Sequence, residues 1–342
     1  MSAIHDDEVA TAGAEHPVKA PLGLGRRLEQ YSLVIAIVVI FVVFSLLRPE
    51  VYPTLTNLAS MLGSNATLVL LTLGLIIVLR AGEFDLSIAA NMTFCAVFFA
   101  VMTVQFQVPI ALGILLALVL GGLIGLLNAI LVLFFRVNSF IATLGMGTLL
   151  QGFAIWVSGN KVITGVDQGL IDWVVVYRIA YIPLSFFYAL IVMAILWYVF
   201  RYTSAGRSLL YVGKNQDVAR LSGFKVNKVR LLAFVATGVI AGGAGLLYAG
   251  TSGSADPSSG LSYMLPAFAA AFLGATAIEV GEFNPISTVI AAYFLVFGVT
   301  GLALLGVPTF IQQLFYGSAL IVAVALSAWV ARMKQRSAGL TS

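Results

Sequence analysis

Apolar residues gather along the chain in ten runs, at 31–47, 58–79, 86–104, 109–135, 140–157, 183–200, 231–249, 264–278, 286–305 and 309–331, with polar breaks between them. An α-helix rises about 1.5 Å per residue, so about 20 residues cross a hydrocarbon core. Most of the runs reach that length. The eighth, which follows Pro266, is short, and the fourth is long enough to tilt. The pattern predicts an all-α integral membrane fold of about ten transmembrane helices. Residues 1–30 read as a flexible polar tail, 31–331 as one membrane domain with a cytoplasmic loop at 201–230, and 332–342 as a short C-terminal tail. The N-terminal tail is acidic at Asp6, Asp7 and Glu8, and no small-residue cleavage site follows the first apolar run, which argues against a signal peptide.

Charge placement orients the runs. With ten spans and both termini in the cytoplasm, 15 of the 18 Lys and Arg residues fall inside, and only Arg48, Lys161 and Arg178 fall outside. This is the asymmetry of the positive-inside rule. The 201–230 connection holds seven Lys/Arg against one acid, Asp217, so an even number of spans must precede it. The isoelectric point of about 9.2 follows from this topology. It does not point to nucleic acid, because the basic residues flank spans instead of forming a separate domain.

Composition narrows the chemistry. The chain is 61% hydrophobic and 9% charged, with a mean hydropathy of +1.04. A soluble domain of this size needs a polar skin, usually with about 25% charged residues. One cysteine, Cys95, excludes a disulfide scaffold, and two histidines, His5 and His16, remove most histidine-based metal and acid–base chemistry. No metal or cofactor is expected. Carboxylates are nearly absent from the runs, which argues against a proton- or sodium-coupled carrier, and no catalytic motif argues for a membrane enzyme.

Several patterns carry two readings each. Gly121 and Gly125, Gly238 and Gly242, and Ala241, Gly245 and Ala249 recur at four-residue spacing, which suits close helix packing within one subunit or at a subunit interface. The stretch from Gly206 to Lys214 approaches a phosphate loop, but six residues separate its glycines and Asn215 replaces the magnesium-binding Ser or Thr, so ATP binding is not expected. Asn215 through Gly223 reads as a short helix: Asn215 caps it, Asp217 suits its positive end, Arg220 its negative end, and Gly223 provides a left-handed stop. It is either an ordinary surface helix or a docking element for a cytoplasmic partner. Glu83 and Asp85 lie at a break between spans. Asp85 either caps the third span or lines a pathway. The neutral polar residues Asn65, Asn91, Asn128, Thr143, Gln151, Gln312 and Gln313 either bond neighbouring helices or together line a polar path. Gly82–Ser87 is also echoed by Gly281–Ser287, which marks either a duplication or chance.

Taken in order, these residues resemble a known family, the membrane permease subunits of bacterial ABC importers for ribose and related monosaccharides. The resemblance covers residues 30–335. It rests on Ala81-Gly82-Glu83-Phe84-Asp85-Leu86-Ser87, on Phe140 through Gly145, and on Gly206-Arg207, Gly213, Asn215 and Ala219-Arg220-Leu221-Ser222-Gly223. It extends to Ser254-Ala255-Asp256-Pro257 with Gly260, and to Leu273-Gly274-Ala275-Thr276. Departures occur at Glu83-Phe84, at Asp256 and at Glu279-Val280-Gly281-Glu282, and are expected to mark a substrate branch.

The resemblance implies a multi-pass bacterial inner-membrane protein that is not itself an enzyme. Its implied partners are a cytoplasmic ATPase, a periplasmic substrate-binding protein and a second permease subunit, identical or not. The segment Gly206, Arg207, Gly213, Asn215, Asp217, Ala219, Arg220, Leu221, Ser222 and Gly223 would couple to the ATPase. Asp85, Ser87, Asn65, Asn91, Asn128, Thr143, Gln151, Asp256 and Gln312 would line the path of a monosaccharide or polyol. Alternatives are a stand-alone secondary carrier, or an ABC permease for nucleosides or branched-chain amino acids.

Overall fold

The computed structural model describes residues 24–279 and 281–337, with side chains described over 31–326 apart from Val280, so the tail through residue 23, with His5 and His16, and residues 338–342 lie outside it. Fourteen α-helices, with π-helical turns at Val101–Gln105 and Asp172–Val176, occupy the described residues. In chain order they are α1 (Leu24–Leu47), α2 (Leu55–Ser64), α3 (Ala66–Arg80), α4 (Ile88–Ala100), α5 (Ile110–Leu133), α6 (Ser139–Ser158), α7 (Gln168–Ile171), α8 (Leu184–Tyr202), α9 (Ser204–Lys214), α10 (Gln216–Leu221), α11 (Val226–Ser252), α12 (Gly260–Gly274), α13 (Pro285–Leu304) and α14 (Thr309–Ser337). Two small two-stranded ladders complete the fold: β1 (Ile163–Thr164) with β4 (Ser254–Ala255), and β2 (Arg178–Ile179) with β3 (Ile182–Pro183). Eight helical stretches are long and apolar enough to cross a membrane, and Tyr31–Leu47 and Gly260–Gly274 are shorter apolar helices.

The centre of the bundle is α3, every residue of which is buried, with α4 and α11 against it. Hydrophobicity alone does not drive helices together in lipid, so close van der Waals packing has to. The four-residue glycine pattern supplies it between α5 and α11. A methyl group at Gly125 would strike the Phe234 carbonyl oxygen, and one at Gly238 the Gly121 carbonyl oxygen. Gly245 meets the Met92 carbonyl of α4 in the same way. Of the two readings of this pattern, packing within one subunit is the one realised.

Several boundaries differ from the apolar runs: the second run is split into α2 and α3, and α11 begins at Val226, five residues ahead of its run. The first helix starts at Leu24, ahead of residue 31, because helix-compatible residues precede the apolar ones. The third span starts at Ile88, since Leu86 and Ser87 belong to the turn that Asp85 holds. The eighth covers 260–274, displaced from 264–278. Its helix runs through Pro266 and then stops in successive turns where Ile278 (φ 56°) and Gly281 (φ 86°) leave the right-handed region. Residues 206–214 lie on helix α9, the wrong backbone for a phosphate loop.

Contacts sort the connections into two ends. At one end Arg80, Lys214, Glu282 and Phe283 meet, as do Arg201 with Glu279 and Arg230 with Glu83. At the other, Ile163 pairs with Ala255 across the ladder of β1 and β4. Arg80 and the basic 201–230 connection therefore share one face. Reporter fusions after residues 50, 165 and 255 are expected to read periplasmic, and those after 215 and 335 cytoplasmic. A periplasmic signal at 215 would invalidate this orientation.

Candidate functional site

The break between α3 and α4 is a buried polar turn. Asp85 is 1% exposed. Ser87 donates to Asp85 Oδ1 twice, from its backbone N at 2.9 Å and from its hydroxyl at 2.6 Å. Asn128 of α5 donates from Nδ2 to Ser87 Oγ at 2.7 Å, which makes a relay from α5 to the carboxylate. From α6, the Thr143 hydroxyl accepts the Leu86 amide at 3.0 Å and the Ser139 hydroxyl accepts the Phe84 amide at 3.2 Å. Asp85 does not cap the amides of α4 itself, as an N-cap would. It ties the turn that precedes the helix, and three helices hold that turn in place. Burial pushes the Asp85 carboxyl up to about 6, against the Ser87 hydrogen bonds, which pull it down.

The remaining polar residues do not converge on this turn. Asn91 accepts from the Cys95 thiol at 3.2 Å and donates to the Gly121 carbonyl at 3.3 Å, joining α4 to α5. Asn65 donates to the Met61 carbonyl at 3.0 Å, at the junction of α2 and α3. Gln151 of α6 donates to the Pro257 carbonyl at 2.7 Å, at the opposite end of the bundle. There Asp256 accepts from the Ser258 amide at 2.8 Å and hydroxyl at 2.7 Å, the same Asp-x-Ser device as at Asp85. Gln312 is half-buried and Gln313 exposed on α14, the least buried of the eight long spans. The two echoed stretches share a local turn: Gly82 and Gly281 have φ of 80° and 86°, and Asp85 and Asn284 each accept the amide two residues on.

The second constellation is α9–α10. Asn215 Oδ1 accepts the Asp217 and Val218 amides, both at 3.0 Å, which starts α10. The Gly223 and Phe224 amides close back on the Arg220 and Ala219 carbonyls, and Gly223 takes φ 85°, which stops it. Asp217 and Arg220 pair at 3.6 Å on the surface. Ala219 is buried against the loop, while Val218 is 58% and Leu221 90% exposed. Gly206 and Gly213 point the other way. A methyl group on Gly206 would strike the Val199 carbonyl oxygen of α8, and one on Gly213 the Arg80 carbonyl oxygen. These glycines seat one face of α9 on the bundle, and α10 follows it outward, with Ser222 at its end and exposed.

A set of ion pairs fastens this loop to the span ends, and sequence reasoning missed it. Arg230 Nε lies 2.7 Å from Glu83 Oε1, and Gln216 at the start of α10 donates to the same oxygen at 3.3 Å. Lys214 donates to Glu282 at 3.0 Å, and Arg80 donates to the Phe283 carbonyl at 2.7 Å. Arg201 pairs with Glu279 at 3.3 Å. Of the four acids at the departing positions, Glu83, Glu279 and Glu282 take the basic loop, while Asp256 stands at the opposite end. The available signal was their sign, opposite to that of 201–230.

Comparison with known proteins identifies a family of transport permeases. The family model described as branched-chain amino acid transport system / permease component matches residues 57–324. The ribose import permease protein RbsC of Escherichia coli is 32% identical over 300 residues, covering 87% of this chain and 92% of that protein. The D-allose transport system permease protein AlsC of Escherichia coli is 26% identical over 319 residues, covering 93% of this chain and 98% of that one. The autoinducer 2 import system permease protein LsrD of Escherichia coli is 29% identical over 304 residues, covering 86% and 92%. No solved structure matches the chain.

Proposed function

The chain belongs to the branched-chain amino acid transport system / permease component family, and from that premise we propose that it is the membrane-spanning permease subunit of an ATP-driven importer. It is a transport component of the inner membrane and not an enzyme. An ATPase and a periplasmic binding protein work with it. The observation that carries the reading is α10: a helix capped at both ends, outside the spans, that displays an almost fully exposed Leu221. An apolar knob of this kind next to a rigid basic loop suits insertion into a groove of the ATPase.

We take residues 31–331 as the permease domain and 201–230 as its coupling loop. Relatives named for ribose, D-allose and autoinducer 2 favour a monosaccharide or polyol over the branched-chain amino acids of the family description. The second permease subunit and the path are assigned to the exposed side of α6, where Gly145 and Gly152 have no neighbour within 4 Å, and to α14. Gln151 and Gln312 stand on these two helices and are the first candidates to meet substrate. The Asp85 turn, held by Ser87, Asn128 and Thr143, sets the position of α4 at the cytoplasmic end of that path.

Uptake into proteoliposomes holding the full chain, its ATPase and its binding protein tests the reading. Labelled ribose or allose is expected to accumulate only with internal ATP, and to keep doing so after an ionophore collapses ion gradients. Uptake that an ion gradient alone drives would establish a secondary carrier instead.

A further inference from the structure

A cavity of about 510 Å³ opens between the end of α8, the start of α9 and the turn that leads into α13. It belongs neither to the Asp85 turn nor to the exposed face of α10. Arg80, Arg201 and Arg207 line it together with Glu279 and Glu282. The charges do not cancel. Glu282 is taken by Lys214 at 3.0 Å and lies 3.8 Å from Arg80, while Glu279 is shared by Arg201 and the Asn284 amide. Three arginines thus face two carboxylates, one of which Lys214 also draws on. Arg207 is exposed, and no carboxylate lies within ion-pair distance of it among the described residues. The side chain of Arg80 is 7% exposed, and its Nε is buried without a hydrogen-bond partner. A buried, unpaired guanidinium N–H is costly, and a negative charge in the cavity that Arg80 lines would favour the cation that carries it.

The rest of the lining limits the kind of anion. Trp197 and Phe200 from the last turns of α8, with Pro285 and Ile286 from the start of α13, give apolar walls. The cavity sits where the span Leu184–Tyr202 ends, the level at which aromatic residues meet headgroups. Its volume falls in the range of small-molecule pockets, far above the ~30 Å³ a water occupies. We propose that this cavity binds a phosphate-bearing anion at the membrane surface, with Arg207 and Arg201 gripping the phosphate and Arg80 completing its coordination. Two sources carry that chemistry, an anionic phospholipid headgroup and soluble phosphate. The apolar walls fit a glycerol backbone beside the phosphate. Basic pockets between spans on the cytoplasmic side are suited to such headgroups.

Native mass spectrometry of the full-length detergent-purified protein tests the site, and its readout does not depend on transport or on the assigned function. The protein is titrated with phosphatidylglycerol, with phosphatidylcholine of the same acyl chains, and with inorganic phosphate. Phosphatidylglycerol is expected to bind in preference to phosphatidylcholine, and Arg207→Gln to weaken it about fivefold. Arg207→Lys should recover part of the binding, since it restores charge without the planar fork. Lys228→Gln, at an exposed cation outside the cavity, should change nothing. Binding of inorganic phosphate that Arg207→Gln abolishes, with the two lipids equal, would assign the soluble source. Equal binding of all three probes by the wild type and Arg207→Gln would overturn the site. Arg207 is exposed and makes no ion pair among the described residues, so its loss should leave the fold intact, and an unchanged melting temperature in detergent verifies that.

Discussion

Leu221→Asp is expected to leave the protein at its normal level in the membrane and to abolish stable association with the ATPase. The side chain is 90% exposed and contributes almost nothing to the bundle, so replacing it should not disturb insertion. A carboxylate on the tip of a docked helix would instead lose an apolar anchor and bury a charge. Central anchors of this kind weaken association by roughly thirtyfold or more when removed. Gly223→Val should give a milder version by another route. Gly223 has φ 85° and nothing within 4 Å, so a valine there meets no clash but is strained by its backbone. That strain, roughly 1–2 kcal/mol, is small for the bundle and large for the aim of a helix spanning Gln216–Leu221. Arg220→Glu removes the surface pair with Asp217 and sets a like charge beside it. Co-purification of the ATPase and substrate-stimulated ATP hydrolysis by the reconstituted complex are the measurements. Wild-type stimulation in all three variants would reduce α10 to a surface element and remove the coupling assignment.

The second large effect is at Asp85, where Ala and Asn should separate. Asp85→Ala removes the acceptor of both Ser87 donors, and with it the end point of the relay from Asn128. Leaving buried donors unpaired costs about 1–3 kcal/mol each, enough to loosen the turn that α4, α5 and α6 share. Transport should fall at least tenfold, since about 1.4 kcal/mol corresponds to that factor. Asp85→Asn keeps an acceptor oxygen in the same place and should transport nearly as wild type. Full loss in Asp85→Asn would show that the charge itself matters and would restore the pathway reading.

A pH dependence follows from the same carboxyl. Its folded value is raised from 3.8 to about 6 by burial, so between these values the folded protein holds a proton that the unfolded chain has released. Stability on this account is greatest below pH 4 and declines as pH rises towards 6, by up to about 3 kcal/mol. Other carboxylates add their own slopes, so the test is a difference. The melting temperature of Asp85→Asn minus that of wild type should grow between pH 4 and 6 and level off above. A flat difference would show that Asp85 does not titrate in this window.

That the chain is an all-α bundle of apolar helices was legible in the sequence, because the bilayer imposes a length and a hydropathy that leave few alternatives. The caps of α10 were legible for a related reason: Asn215 and Gly223 act on backbone only two or three residues away. The polar residues were not. Asn91, Asn128, Thr143 and Gln151 look alike on an apolar background, yet Asn128 and Thr143 hold the Asp85 turn while Gln151 bonds Pro257 at the far end. Which of them meet is decided by how α4, α5, α6 and α11 pack, and that packing depends on close approaches such as Gly238 of α11 on Gly121 of α5 and Gly147 of α6 on the Leu86–Ser87 backbone. The acids at 83, 279 and 282 were hidden in the same way. Their partners Arg230, Arg201 and Lys214 lie far off in sequence, and only the folding of the basic loop back onto the span ends brings them within reach. Local backbone chemistry and the solvent preference of long segments act along the chain and can be read there. Ion pairs, relays and cavities form between segments, and their geometry exists only once the helices have packed.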